Sequence, residues 1–393
     1  MYNVILKQNE EKRIKAFYPW IYANEVSKII GKDKQGSICK VSSINGDIVG
    51  YGYINHASKI IVRMLEVTAE EKDEDSYGYD FFKYLIHKAN MMRINQGYDN
   101  SYRAVFSESD GLPGLIVDKY DKYLSCQFLT LGMEIRKDMI IDILKEEFNP
   151  LGIYERSDVQ VREKEGLKEA KGILYGDIPE YVMIKENGLD INVDIINGQK
   201  TGYFLDQQAN RDMLKYYVKD AKVLDCFCNV GGFSLCAAKY GAKEVYSLDI
   251  SSRAIEEVAN NAKLNGFTNI HPICVDVFKA LRDYKDQKEK FDVVILDPPA
   301  FTKSIDTVKE GYKGYLDINT IGLKLVKKSG YLITCSCSQH LTLNLFLKMI
   351  NEAISRSNIK AKLVNLSFQG KDHASLLNMD EALYLKVAVV QVM

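Results

Sequence analysis

From about residue 200 onward the chain alternates short apolar runs with stretches of helical periodicity, and three of those runs end on an aspartate. They read Lys222-Val223-Leu224-Asp225, Glu244-Val245-Tyr246-Ser247-Leu248-Asp249 and Phe291-Asp292-Val293-Val294-Ile295-Leu296-Asp297, followed by Gly330-Tyr331-Leu332-Ile333-Thr334. Strand–helix alternation of this kind specifies an α/β fold with a doubly wound parallel sheet. Ligands of such sheets bind in the crevice outside the carboxyl ends of the strands, which is where the aspartates stand. The runs Lys362 to Leu366 and Ala382 to Val392 close the sheet.

Upstream the pattern differs. Runs at 37–41, 48–54 and 60–65 have period-two stretches broken by turns such as Asn45-Gly46, which predicts a small β-rich barrel over residues 1–68. The acidic link Glu70-Glu71-Lys72-Asp73-Glu74-Asp75 follows. Apolar residues at Phe81, Phe82, Leu85, Ile86, Ala89 and Met92 fall on one helix face between Tyr79 and Asn95. Strand signals near 102–106, 115–118, 123–128, 153–155 and 189–194 make the middle of the chain α+β. Three domains are expected, over 1–68, 69–186 and 187–393, in keeping with 393 residues being long for one core.

No apolar stretch approaches the roughly 20 residues needed to span a bilayer, so no membrane partner is expected and the reading is cytoplasmic. The eight cysteines are scattered and read as reduced thiols. Cys226/Cys228 and Cys335/Cys337 form Cys-x-Cys pairs, whereas structural zinc usually takes gaps of two or more residues within a pair; no metal is expected. The net charge is −1, yet residues 1–66 carry ten Lys/Arg against six acids, a basic end that fits contact with a polyanion.

In the loop Cys226-Phe227-Cys228-Asn229-Val230-Gly231-Gly232-Phe233, the two glycines let the backbone turn tightly and a ligand approach it closely. Gly-x-Gly-x-x-Gly is absent, so no pyrophosphate cradle is present and S-adenosylmethionine fits better than a dinucleotide. Asp225 faces the methionine end, Asp249 the ribose, and Asp276, after the third strand, the adenine amino group. Beyond the last parallel strand, Thr334-Cys335-Ser336-Cys337-Ser338 places thiols near the acid-Pro-Pro turn Asp297-Pro298-Pro299. A thiol and a carboxylate at the ends of neighbouring strands can attack and polarise a pyrimidine ring, which suggests carbon methylation of cytosine in nucleic acid; packed thiols at a strand end are the plain alternative.

With these motifs in view, the chain resembles the bacterial 23S rRNA cytosine-C5 methyltransferases of the RlmI type over nearly its whole length. Pro19-Trp20-Ile21-Tyr22 and Gly50 to Arg63 resemble their amino-terminal PUA domain, and Glu108 to Asp118 their central domain. Gly198 to Arg211 resembles the approach to the catalytic domain, and Asp297 to Phe301 and Gly314 to Asn319 lie within that domain. The resemblance implies a Rossmann-like class I S-adenosylmethionine sheet, 23S rRNA as partner, naked or in an assembling subunit, and leaves a homodimer open. It adds Phe204, Gln207, Phe227, Asn229 and Asp297 to the cofactor residues Asp225, Gly231, Gly232, Asp249 and Asp276. Cys337, seven residues after Gly330, has the family's nucleophile spacing, and Asp297 would bond the cytosine N3/N4 edge. Cys335 is assigned to packing, and Cys226 and Cys228 to shaping the cofactor loop. Relatives with two cysteines carry the second where this chain has Ala300, so the base for the C5 proton is open among Lys303, His340 and His373. Methylation of an exocyclic nitrogen, and a PUA-bearing RNA-binding factor without catalysis, are the rival functions.

Overall fold

The acid-tipped apolar runs pair as one sheet. In the computed structural model, which describes every residue except Asp33, Lys303 and the side chain of Ile305, two units form. One comprises Met1–Ile184, Val193–Leu205 and Lys371–Ala382, the other Lys185–Asn192, Asp206–Gly370 and Leu383–Met393. The second holds strands β1 (Lys222–Cys226), β2 (Glu244–Asp249), β3 (Ile270–Cys274), β4 (Phe291–Leu296), β5 (Val326–Ser336), β6 (Ala361–Ser367) and β7 (Lys386–Val392). Their order is β3-β2-β1-β4-β5-β7-β6. The first five run parallel and β7 runs antiparallel to both neighbours. Strand order reverses between β1 and β4, the point at which a crevice opens in such sheets.

Helices α1 (Gly232–Lys239), α2 (Ser252–Leu264), α3 (Val277–Asp286), α4 (Val308–Leu325) and α5 (Leu343–Ser357) connect the strands. Three starts are fixed by side chains that accept a first-turn amide: Ser251 from Ala254, Asp276 from Lys279 and Thr342 from Leu345. Leu224, Leu248, Val294, Leu296 and Leu332 of the sheet share a core with Leu316 and Leu323 of α4 and Phe346 and Met349 of α5. Each such side chain contributes about 1.5–3 kcal/mol. Pro272 lacks a ladder donor and is tolerated because β3 is an edge strand.

The first unit contains a six-stranded sheet, in spatial order Trp20–Tyr22, Ile60–Val67, Ile48–Ile54, Ile38–Ser42, Tyr2–Leu6 and Val26–Ile30. Its end strands are neighbours in the chain, joined by the single turn Ala23–Glu25. Three of these strands, Tyr2–Leu6, Trp20–Tyr22 and Val26–Ile30, carry no strong alternation and come from pairing rather than pattern. A five-stranded sheet over 101–176 follows, together with the helix Tyr79–Asn95, whose Phe82, Ile86 and Ala89 are buried as its periodicity predicts. Arg63 ties the two parts of this unit, donating to Glu108 at 2.7 Å and Glu165 at 3.0 Å.

One irregularity bears on the site. Between Phe291 and Val293 the β4–β5 register shifts, so that two steps along β4 match the five steps from Val326 to Tyr331 on β5. Ser329 has φ +67° there. Beyond the shift the pairing is regular, ending at Leu296 opposite Thr334. A Cβ on Gly330 would meet the Asp292 carbonyl oxygen at 2.4 Å, so only glycine lets the shift close. Gly330→Ala is expected to cost about 1–3 kcal/mol through overpacking, read as a lower urea midpoint. Because it moves the strand that ends at the cysteines, the same substitution should also raise the reactivity of the buried Cys335 toward a thiol reagent.

Candidate active site

The loop after β1 is held in a strained form. Phe227 (φ +64°), Asn229 (φ +50°) and Gly231 (φ +88°) are all left-handed, which is costly for the first two and persists where surrounding contacts over-determine it. Those contacts are visible. The Asn229 amide donates to Asp249 Oδ2 at 3.0 Å, and the Val230 amide to Asn229 Oδ1 at 2.7 Å. Asp249 Oδ1 accepts from the Ser251 amide, so one carboxylate at the end of β2 orders both its own loop and that of β1. At Gly231 a Cβ would sit 3.1 Å from Val258 Cγ2, which gives that position a packing reason as well as a conformational one. Gly232 opens α1.

Asp225 is fully buried. Its Oδ2 accepts from Ser234 Oγ at 2.6 Å, while Oδ1 has no partner. Burial pushes this carboxyl up to about 7, against the Ser234 hydrogen bond, and the nearby charges of Asp297 and Asp249 push the same way. An orphaned carboxylate oxygen beside two further acids suits a ligand that brings positive charge. S-adenosylmethionine carries an ammonium and a sulfonium, so the residues present fit it. Asp276 is exposed at the start of α3, its Oδ1 accepting from the Lys279 amide at 3.1 Å. Phe227 packs edge-on against Phe278 with centroids 5.9 Å apart; Phe278 meets Phe301, and Phe301 meets Tyr315. This aromatic row runs from the cofactor loop to the acid-Pro-Pro turn.

That turn begins at the end of β4, where Gln207 Nε2 donates to Asp297 Oδ2 at 3.1 Å. Gln207 is itself buried, its Oε1 held by Asn210 Nδ2 at 2.8 Å, and Asn210 is anchored to the Phe368 carbonyl and to Ser367. The same Gln207 side chain is hydrogen-bonded to Cys335. Cys335 is fully buried, and its thiol is pushed well above the ordinary range by that burial and by the Asp297 charge. Cys337, the first residue past β5, is only half-buried. Its neighbour Ser338 is fixed on several sides: its Oγ lies 2.8 Å from Tyr315 Oη and accepts from the Thr302 amide, and its carbonyl accepts from Lys386 Nζ at 2.8 Å.

Asp225, Asn229, Gly231, Asp249, Asp297, Gln207 and the two strand-end cysteines therefore share one unit at the carboxyl edge of one sheet. Phe204 belongs to the other unit, where Lys200 Nζ stands 4.6 Å from its ring centroid. Of the three residues considered as a base, His373 also lies in that other unit, buried against Phe106 and paired with Asp372 at 3.0 Å. His340 is half-buried beyond Cys337, and Lys303 lies outside the described residues. Among the described residues no cluster of His, Cys, Asp and Glu is arranged to hold a metal ion. Sequence reasoning did not find Ser234, the bridging role of Gln207, or Lys386. Only Lys386 left a signal, an ionisable residue at the head of the apolar run Val387-Ala388-Val389-Val390.

A parallel sheet that reverses between β1 and β4, with acids ending its strands and a strained glycine loop, defines a class I S-adenosylmethionine-dependent methyltransferase. Residues 159–375 match the family described as S-adenosylmethionine-dependent methyltransferase, and residues 4–66 the PUA-like domain. The chain belongs to the family of ribosomal RNA large subunit methyltransferase I. The protein of that name from Aliivibrio fischeri is 38% identical over 98% of each chain, and that from Vibrio campbellii 39% identical over 98% of this chain and 97% of its own. A crystal structure of a protein assigned as a methyltransferase and complexed with SAH covers all of both chains, with a TM-score of 0.84 at 22% identity. It shares the fold.

The Asp225 carboxyl titrates near neutrality, and a cation bound beside it favours the ionised form. Cofactor affinity should therefore rise with pH through 7, by up to about tenfold between pH 6 and pH 8. Asp225→Asn should remove that part of the dependence. Calorimetric titration of both proteins checks this by difference, since the ligand's own amine titrates equally in each. Identical slopes would take Asp225 out of the site.

Proposed function

We propose that this enzyme methylates carbon 5 of a cytosine in large-subunit (23S) ribosomal RNA, with Cys337 as nucleophile and Asp297 as the group that polarises the ring. The observation that carries the reading is the strand-end pair. Asp297 follows Leu296 on β4, Cys337 lies three residues past the Thr334 that pairs with Leu296, and the half-buried thiol stands beside the cofactor loop's sheet edge. The names of the relatives supply the class of RNA, and the basic surplus of residues 1–66 supports a polyanion contact through the PUA-like module.

Cytosine C5 is a poor nucleophile until a thiolate adds at C6. Cys337 Sγ forms the C6–S bond, and the ring electrons move toward C5. Asp297 accepts from the exocyclic amino group through one carboxyl oxygen and gives a proton to N3 through the other, which neutralises the charge that develops on the ring, and takes that proton back when the thiolate leaves; Gln207, at 3.1 Å, fixes the carboxyl group's orientation. When bound, S-adenosylmethionine supplies an electrophilic methyl group for C5. Loss of the C5 proton to a base then expels the Cys337 thiolate and restores the C5–C6 double bond. A base stacked in a helix cannot offer C6 to a thiol, so the target is single-stranded or flipped out.

Cys337→Ala should abolish methyl transfer to rRNA from cells lacking this protein, with cofactor affinity unchanged, while Cys335→Ala keeps substantial activity. Asp297→Asn should cost on the order of 10²-fold or more in rate. RNA bearing 5-fluorocytosine at the target should trap a covalent adduct at Cys337, because fluorine blocks the elimination. Methylation that survives in Cys337→Ala, with the methyl group mapped to an exocyclic nitrogen, would replace this reading by N-methylation. Cofactor binding with no transfer to any RNA would leave an RNA-binding factor.

A further inference from the structure

A cysteine that attacks C6 must be a thiolate, and an ordinary thiol, with a pKa of roughly 8.5, is mostly protonated at neutral pH. Partial burial makes this worse by disfavouring the charged form. Something near Cys337 has to supply positive charge, and the sheet brings one lysine to it. The antiparallel β5–β7 register sets Lys386 opposite Ser336, the residue just before Cys337. Its Nζ donates at 2.8 Å to the carbonyl of Ser338, the residue just after. The lysine thus meets the chain on both sides of the nucleophile, by its backbone before it and by its ammonium after it. Only 3% of Lys386 is exposed, and among the described residues it has no carboxylate partner. A buried, unpaired ammonium is costly unless an anion faces it.

We propose that Lys386 is the counter-ion of the Cys337 thiolate, a positioning residue that keeps the nucleophile in its reactive form. The proposal rests on the reading of Cys337 given above. Burial draws the lysine down to about 8, and the charge of Cys337 acts in the opposite sense, as an ion pair requires. Three further ionisable groups at this strand end do not supply the charge. Tyr315 on α4 and Cys335 on β5 are both raised by burial and become anionic only far above neutrality, and Asp297 at the end of β4 is an acid, acting on Cys335. Adding the thiolate to C6 consumes the negative charge at sulfur, and expelling it at the end of the cycle restores the pair, so the lysine also favours the leaving step.

The test is the pH dependence of Cys337 alkylation by iodoacetamide, followed by peptide mass, in a Cys274→Ser background that removes the exposed thiol. The wild type should show a midpoint below 8.5. Lys386→Met fills the same space without charge and should raise that midpoint by a unit or more, about tenfold slower labelling at pH 7. Lys386→Arg should keep it low. Methyl transfer by Lys386→Met should fall by a similar factor at pH 7 and recover as pH rises, which a loss of packing would not do. S-adenosylmethionine affinity reports whether the variant is folded. If it is not, the wild-type midpoint and Lys386→Arg still decide. A wild-type midpoint at or above 8.5, or one that Lys386→Met leaves in place, overturns the proposal. Alkylation reads the thiol without RNA. A methyl group mapped elsewhere than cytosine C5 would therefore overturn the reaction assigned above and leave the ion pair standing.

Discussion

The parallel pairing of β4 with β5 is the constraint from which the site follows. Leu296 opposite Thr334 sets Asp297 and the two cysteines at one edge of the sheet, and no side chain could correct a slip there, because a one-residue shift would turn both cysteines to the other face. The register reaches that point only after absorbing the extra residues at 327–330, where Gly330 stands against the Asp292 carbonyl. Chemistry at the strand ends is thus tied to backbone geometry at the opposite end of the same two strands. Packing of Leu296 and Leu332 in one core holds the pair together.

Charge is distributed along this edge in two zones. Around β1 and β2 the structure concentrates acid: Asp225 is buried with one oxygen unpartnered, and Asp249 is used to tie down Asn229 and Ser251. Past β5 it brings the buried Lys386 ammonium to the Ser338 carbonyl, next to the thiol. A cationic methyl donor and an anionic nucleophile want opposite fields, and the sheet gives each its own. Asp297 stands between them, raising both Asp225 and Cys335, while Gln207 supplies it with a neutral hydrogen bond.

How much of this was legible follows from range. Strand runs in the second unit were readable where β1, β4 and the end of β5 are buried on both faces and therefore largely apolar, and Asp225, Asp249 and Asp297 were readable because they interrupt that apolarity at a fixed place. The helix Tyr79–Asn95 declared itself by period. The strands Tyr2–Leu6, Trp20–Tyr22 and Val26–Ile30 did not, since short strands take their structure from their partners. Left-handed Phe227 leaves no compositional trace, whereas Asn229 is held both by its own side chain on the Val230 amide and by Asp249. Gln207 was named, yet its reach to Asp297, ninety residues on, belongs to the fold.

Cys335 and Cys337 show why spacing alone could not settle a nucleophile. They sit two apart, Cys335 inside β5 and Cys337 just past its end, and both are flanked by serines. What separates them is depth and company. Cys335 lies within β5, fully buried, with an acid as its nearest charge, so every local influence except the Gln207 hydrogen bond keeps it a thiol. Two residues on, the strand has ended, the side chain is half-exposed, and the charge of Lys386 acts on it, contributed by a strand from the far end of the chain. The same atoms are inert or reactive according to which neighbour the sheet supplies, and that neighbour is fixed by the one antiparallel strand inserted into an otherwise parallel edge.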